Sequence, residues 1–217
     1  PRRIDPKTDE TKPPAAPQPQ QKKMRNAGRP LHPVLHTLFE LYPHLFGARF
    51  LPLKLGVFEE MVAAHPDRLK PEELKVALGL HTRSTRYLEA VAGGVPRHDL
   101  QGQPVEPVAP EHVHHAILEL YRRKSGTPQE PAARQRAVTQ LLQAIERSGL
   151  GRDGYRERFG AGPDYAVSLL DDALMALGQR SARQEALKRA FQASGKSAEE
   201  FAEMYGLSTA EVRALGA

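Results

Sequence analysis

Hydroxyl, guanidinium and phenol groups come together in one short stretch, residues 82–87, which reads Thr-Arg-Ser-Thr-Arg-Tyr. The preceding Gly79-Leu80-His81 predicts the end of one helix, so Thr82 is expected to cap the next. Free backbone N–H groups and the helix dipole make such a helix start an anion site, to which the hydroxyls of Thr82 and Ser84 add donors. Tyr87, one turn later, could stack on a base or donate to a phosphate. The stretch therefore predicts a phosphate pocket with an aromatic wall.

Positive charge surrounds this pocket. Residues 75–97 hold four basic side chains and one acidic one, namely Lys75, Arg83, Arg86, Arg97 and Glu89. A capped helix with solvated arginines and a core tyrosine explains the same residues without any ligand, and the pattern alone leaves both interpretations open.

Other chemistries find little support. The sequence has no cysteine, which excludes thiolate nucleophiles and cysteine-ligated metals. It also lacks the glycine-rich phosphate loops of nucleotide-binding enzymes and a serine-nucleophile motif. His112 and His115 share a helix face with Glu119, but no third histidine ligand is evident. We therefore expect no enzyme, no catalytic residue, no metal site, no cofactor and no small-molecule substrate.

The residues outside 82–97 predict a mainly α-helical chain. A helical stripe from Val34 to Tyr42 ends at Pro43, and Pro52 is expected to open a second helix that stops before Pro66. A third helix is predicted from Pro71 to the break at Gly79, and a fourth from Thr82 to Gly93-Gly94. Gln101-Gly102 predicts a two-residue hairpin turn, and Pro110–Lys124 predicts a fifth helix.

The rest of the chain divides into a tail, a linker and a second helical region. Residues 126–130 predict a linker, and residues 131–217 an accessory helical domain. Three longer helices are expected there, around Leu141, Leu170 and Leu187, followed by two short ones. The last two have helix-turn-helix spacing, but Arg213 is nearly the only donor of the second, which favours a packing hairpin over DNA reading.

Residues 1–30 predict a disordered basic tail, because they are rich in Pro, Gln and Lys and lack apolar periodicity. They hold eight of the 31 basic and three of the 26 acidic residues, so the rest of the chain carries 23 of each and is neutral. The basic positions expected to attract RNA without reading its sequence are Arg2, Arg3, Lys22, Lys23, Arg25 and Arg29. No apolar run is long enough for a membrane span and no secretory signal is visible, so we expect a cytoplasmic protein without a membrane partner.

Several strings in residues 31–125 together resemble the ProQ/FinO domain of bacterial RNA chaperones. They are Tyr42-Pro43-His44-Leu45-Phe46, the run from Pro52 to Phe58, the run from Leu74 to Leu78, the run from His81 to Leu88, the run from Arg97 to Pro104, and the run from His112 to Ala116. The resemblance implies a compact five-helix domain with a small β-hairpin. It also implies a post-transcriptional regulator that binds a terminator stem followed by a 3′ U-tail, in small RNAs and mRNA 3′ ends, protects them and promotes RNA–RNA pairing.

The resemblance also assigns residues. The positions that match family RNA contacts are Lys54, Lys75, Thr82, Ser84, Arg86, Tyr87 and Arg97, and Arg83 lies among them. Lys54 and Arg97 are expected to neutralise phosphates, and Tyr87 to line a pocket for the 3′ nucleotide. The alternatives are a DNA-binding regulator acting through the C-terminal hairpin, a protein-interaction adaptor, and a metal-dependent nuclease built on His112 and His115.

Deleting residues 1–30 should weaken RNA binding mainly at low salt, because the five net positive charges of the tail act through screened Coulomb attraction. Titrating labelled RNA with the full and the shortened chain across a salt series measures this effect. A loss of affinity that is equally large at high salt would indicate ordered contacts instead.

Overall fold

A computed structural model describes residues 32–215, and within them the predicted mainly α-helical class is confirmed. These residues form eleven helices and one two-stranded antiparallel hairpin. The elements are α1 Pro33–Leu41, α2 Pro43–Phe46, α3 Val57–Ala64, α4 Pro71–Thr82, α5 Thr85–Ala92, β1 Arg97–His98, β2 Pro104–Glu106, α6 Pro110–Arg122, α7 Glu130–Ser148, α8 Gly151–Phe159, α9 Asp164–Ser194, α10 Ala198–Tyr205 and α11 Thr209–Leu215. The six basic residues assigned to the tail, and its predicted disorder, lie outside the described residues.

The first helices follow the apolar pattern closely. α1 begins at Pro33, whose missing N–H costs nothing in the first turn, and buries Val34, Leu35 and Leu38. Pro43 ends this helix as predicted and at once opens the short α2. Together these helices supply one wall of the core that underlies the candidate site.

The predicted helix start at Pro52 is wrong. Residues 51–56 are extended or turning, and α3 begins only at Val57, after Gly56 has reversed the chain in the left-handed region at a φ of 80°. The extended piece pairs instead with the hairpin, because His98 N–H donates to the Pro52 carbonyl at 2.7 Å and Lys54 N–H donates to the His98 carbonyl at 2.9 Å. Tertiary pairing here overrides the local preference of proline for a helix start.

The predicted break at Gly79 and the predicted cap at Thr82 are also wrong. α4 continues through Gly79 to Thr82, and the Thr82 hydroxyl donates back to the Leu78 carbonyl at 2.9 Å. The cap of α5 is Ser84, whose hydroxyl accepts from Tyr87 N–H at 3.2 Å. The helix start therefore lies two residues later than the sequence predicted, and the hydroxyl that accepts at the cap is that of Ser84 rather than Thr82.

The hairpin connection is longer than the predicted two-residue turn. Gly102 N–H donates to the Asp99 carbonyl at 3.0 Å, and Asp99 N–H donates to the Gln103 carbonyl at 3.0 Å, which leaves a three-residue loop. The Asp99 carboxylate accepts from the N–H groups of Gln101 and Gln103, both at 2.9 Å. The Asp99 carboxylate thus accepts hydrogen bonds from backbone N–H groups of its own loop, and these bonds stabilise the longer connection.

The C-terminal half contains helices that periodicity did not separate correctly. The helices expected around Leu170 and Leu187 are one 31-residue helix, α9. α8 was not predicted, because it is polar along its length and buries only Tyr155. α6 packs against α7, and α7 against α9, so that residues from Val34 to Leu174 form a continuous core. Whether residues 131–217 behave as a separate domain stays a prediction.

Among residues 32–215, no helix is both long and apolar enough to cross a bilayer.

A buried polar contact joins α6 to α8. His114 Nδ1 and the Tyr155 hydroxyl are 3.1 Å apart, and the His114 ring stacks on Phe159 with 4.7 Å between centroids. Burial lowers the pKa of His114 to about 4, because the charged imidazole would lose its hydration.

Stability should therefore fall as the pH is lowered from about 6.5 to about 4. In this pH window His114 is protonated in the unfolded chain but stays neutral in the folded protein. The free energy of unfolding falls by at most about 3 kcal/mol for this group. Urea unfolding at a series of pH values measures it. His114→Asn should reduce the pH dependence, although buried His81, whose pKa is also lowered to about 4, keeps its own share. His36→Asn, at an exposed position on α1, should follow the parent chain. Identical pH slopes for the parent and His114→Asn would contradict the assignment.

Candidate nucleic-acid interface

The peptide groups around Leu53 and Lys54 are the point where the candidate residues meet. Leu53 N–H donates to the Tyr87 hydroxyl at 3.1 Å, and Arg97 Nη1 donates to the Leu53 carbonyl at 2.8 Å. A parallel bridge between Leu53 and His98 holds the same segment against the hairpin. Residues from three separate parts of the chain, Lys54, Tyr87 and Arg97, are thereby brought together.

Tyr87 is placed differently from its predicted role as a stacking surface. Its side chain is only 7% exposed, and its ring makes a T-shaped contact with His81 at 5.2 Å between centroids, so little of the ring is open to a base. Burial also raises the pKa of the phenol, which stays protonated at neutral pH. Because the hydroxyl already accepts from Leu53, its remaining capacity is one O–H donor.

Arg97 is largely committed to the fold. Its side chain is only 12% exposed, and besides the Leu53 carbonyl it donates to His112 Nδ1 at 2.9 Å. A guanidinium cannot accept, so His112 must present an unprotonated Nδ1. Glu106 lies 3.9 Å from Arg97 and partly balances its charge. Arg97 can therefore contribute positive electrostatic potential to the site. To contact a phosphate directly, its guanidinium would have to break one of these hydrogen bonds.

Lys54 remains partly open. Its ammonium group pairs with Glu60, and this hydrogen bond raises the pKa of Lys54 above its usual value. Its side chain is 36% exposed, and an exposed pair of this kind contributes little to stability. A phosphate could therefore displace Glu60 from Lys54 at small cost.

The start of α5 carries the second part of the candidate site. Its first turn contains no acidic side chain, so the positive end of the helix dipole is not neutralised by its own residues. Arg83 and Arg86 flank it and are both exposed. Arg86 is held over the Phe50 ring at 4.2 Å and donates to the Ala48 carbonyl at 2.5 Å. Lys75 is exposed on α4, and no contact places it beside Lys54 or Tyr87 within the described part of the chain.

Two residues of the site were not singled out by sequence reasoning. His81 is buried beside Phe46 and Phe50, each 4.5 Å away between centroids, and burial lowers its pKa to about 4. The neutral ring of His81 packs against Phe50 and Tyr87 and helps to fix their positions. Arg123, at the end of α6, donates to the Arg83 carbonyl at 2.8 Å and to the Thr85 hydroxyl at 3.2 Å. Because Arg123 is 40 residues from Arg83 in the chain, the local sequence pattern gave no indication of this contact.

The arrangement is suited to holding an anion. It offers guanidinium and ammonium donors beside an open helix start, which are the groups that proteins use for phosphates. Within residues 32–215, no cluster of three or more His, Asp or Glu side chains is positioned to hold a metal ion.

Residues 29–133 match the ProQ/FINO family, and they contain every element of this site. A solved structure of a FinO-like RNA chaperone from Neisseria meningitidis is 31% identical in sequence over 38% of this chain and 85% of that one, with a TM-score of 0.35. This chain belongs to the ProQ/FinO family.

Replacing Tyr87 with Phe should destabilise the fold by about 1–3 kcal/mol, because the Leu53 N–H would lose its acceptor within a buried contact. Urea unfolding gives the change directly. Tyr205→Phe is the matched control, since that side chain is 48% exposed and its variant should unfold like the parent. Equal stability of all three proteins would show that the Tyr87 hydroxyl does not hold this segment.

Proposed function

We propose that this protein is a non-enzymatic RNA chaperone that binds structured RNA through the surface formed by Lys54, the start of α5 and the hairpin. Membership of the ProQ/FinO family supports the proposal, as does the likeness to the FinO-like RNA chaperone from Neisseria meningitidis.

The observation that carries the proposal is the helix start of α5, flanked by two exposed arginines in a chain body without net charge. Ser84 caps the helix, Arg83 and Arg86 stand on either side, and no acid lies in the first turn. Outside residues 1–30 the chain has equal numbers of basic and acidic residues, so this concentration of positive charge is local. A local patch attracts a phosphate backbone at one place rather than over the whole surface.

The proposed ligand is a base-paired stem followed by a single-stranded 3′ U-tail, as in terminators of small RNAs and at mRNA 3′ ends. Arg83 and Arg86 would contact phosphates near the α5 start, with Lys54 and Lys75 adding further charge. Tyr87 would contribute its O–H donor, and Arg97 would position the Leu53 segment. Holding the 3′ end would protect the RNA and keep it available for pairing with a second strand.

Reading of DNA by the C-terminal hairpin receives less support from the structure. Arg213 is the single basic side chain of α11, and its exposed pair with Glu199 of α10 adds little to either side. A helix with one cation offers few donors to a phosphate backbone or to base edges.

The proposal predicts that the full chain binds a labelled terminator hairpin with a 3′ U-tail more tightly than the same hairpin without its tail or with a 3′ phosphate. A pocket for the free 3′ end would lose contacts in both altered RNAs. Titrations at fixed physiological salt measure the three affinities. Arg83→Gln should weaken binding of the tailed hairpin about tenfold and reduce the salt slope by about one, since one charge-assisted phosphate contact is lost.

The control is Arg152→Gln, which removes an exposed arginine of α8 whose guanidinium lies beside Gly178 of α9. Its affinity should equal that of the parent. Equal and weak binding of all three RNAs would leave only generic phosphate attraction and would overturn the proposed 3′-end recognition.

A further inference from the structure

A groove runs between α5, α6 and α7, beside the start of α5 but outside the site described above. Its volume is about 770 Å³, which falls within the range of roughly 300–1,000 Å³ found for pockets that hold small organic ligands. One wall is formed by residues 129–140, and three of its six lining residues, Arg136, Ala137 and Gln140, lie beyond the end of the family match at residue 133. The groove therefore depends on the C-terminal half of this chain.

The floor of the groove is apolar and smooth. Ile117 of α6 and Ala137 of α7 are buried there, and the small side chains of Ala132 and Ala133 continue the same wall. Methyl groups in a row provide a flat apolar surface, on which a planar ring can lie without displacing a larger side chain. The amide groups of Gln129 and Gln140 also line the groove and can both donate and accept.

The rim of the groove is positively charged. Arg123, Lys124 and Arg136 line it, against one acid, Glu89. Glu119 lies next to this set and pairs with both Arg122 and Arg123, at 2.8 and 2.9 Å. Glu130 also lies here, because it accepts from the hydroxyl of the lining residue Tyr121 at 2.8 Å. Counting these neighbours as well, the cations Arg122, Arg123, Lys124 and Arg136 meet three carboxylates, which leaves a local excess of one positive charge.

The rim cations differ in how far they are held. Arg123 is oriented by Glu119, the Thr85 hydroxyl and the Arg83 carbonyl, and it is 29% exposed. Lys124 donates to the Gln129 side chain at 2.8 Å. Arg136 is exposed and makes no ion pair or side-chain hydrogen bond with any residue from 32 to 215. Arg136 is therefore the cation most available to a ligand.

The groove is continuous with the proposed RNA site through Thr85. This residue lines the groove, follows the cap residue Ser84 and precedes Arg86. Arg123 connects the two places directly, because the same guanidinium bonds to Thr85 and to the Arg83 backbone. A strand whose phosphates meet Arg83 and Arg86 would next encounter the cations of the groove.

We propose that the groove binds a single-stranded segment of RNA that adjoins the stem, with bases over the alanine wall and phosphates at Arg136 and Lys124. The ligand class follows from the combination of a flat apolar floor, amides able to meet base edges, and an excess of cations. This inference rests on the proposed function and extends its surface to the C-terminal half of the chain.

The test compares the full chain with Arg136→Gln and Lys124→Gln, using Arg152→Gln as the matched control of equal charge loss. Each protein is titrated with a blunt hairpin, and with the same hairpin carrying a single-stranded extension of about ten nucleotides at either end. The two groove variants should bind at least one extended hairpin about fivefold more weakly, because a phosphate contact is lost. Their affinity for the blunt hairpin should not change.

The outcomes separate the two proposals. If the parent prefers an extended hairpin but both groove variants behave like Arg152→Gln, the groove does not bind the strand and the RNA-binding function stands. If the groove variants weaken blunt and extended hairpins equally, their effect is general charge attraction and the groove assignment is overturned. If the parent binds none of these RNAs, the proposed function fails and the groove assignment fails with it.

Discussion

The candidate site depends on how the peptide group of Leu53 is satisfied. Its N–H donates to a phenol from α5, and its carbonyl accepts from a guanidinium of β1. Neither partner is near Leu53 in the chain, so two side-chain hydrogen bonds join an extended segment to a helix and a hairpin. A buried peptide group that lost either partner would destabilise this junction. Tyr87 and Arg97 are thus constrained by the fold before any ligand arrives, while Lys54 and Arg83 remain open. Arg86 is exposed but is oriented by the Ala48 carbonyl and the Phe50 ring.

The helices and most of the core could be predicted from the sequence, because apolar spacing and proline positions act locally. α1, the end of α3 and the start of α4 lie where Pro33, Pro66 and Pro71 indicated. The error at Pro52 arose because a distant contact decides there: the Pro52 carbonyl accepts from His98 N–H. The error at Thr82 is local, because its hydroxyl donates to the Leu78 carbonyl of α4 and does not cap the next helix. The role of Arg123 at the site has no local signature, since its partners lie about forty residues away.

Two buried histidines of the chain are neutral, and its charged side chains lie mainly at the surface. His81 and His114 are both buried and both hold their pKa values at about 4, so neither adds charge to the body at neutral pH. Net charge is balanced outside residues 1–30, and local excesses therefore come from position rather than from composition. The starts of α3 and α4 carry acids in their first turns, whereas that of α5 carries none. The first turns of α1 and α2 also lack acids, so it is the exposed Arg83 and Arg86 beside the start of α5 that favour an anion at this helix end.

The 31-residue helix α9 also has a mechanical meaning. At about 1.5 Å per residue it is about 46 Å long. Its first half is anchored in the main core through Leu169, Leu170 and Leu174, whereas its far end packs only against the small cluster around Phe201 and Val212. Between them, residues 179–186 are exposed, and Arg180 of this segment pairs with Glu146 of α7 at 2.8 Å. The cluster around Phe201 and Val212 is thus an apolar unit separate from the main core, and with so few buried contacts it should unfold locally at a smaller free-energy cost than the body that carries it.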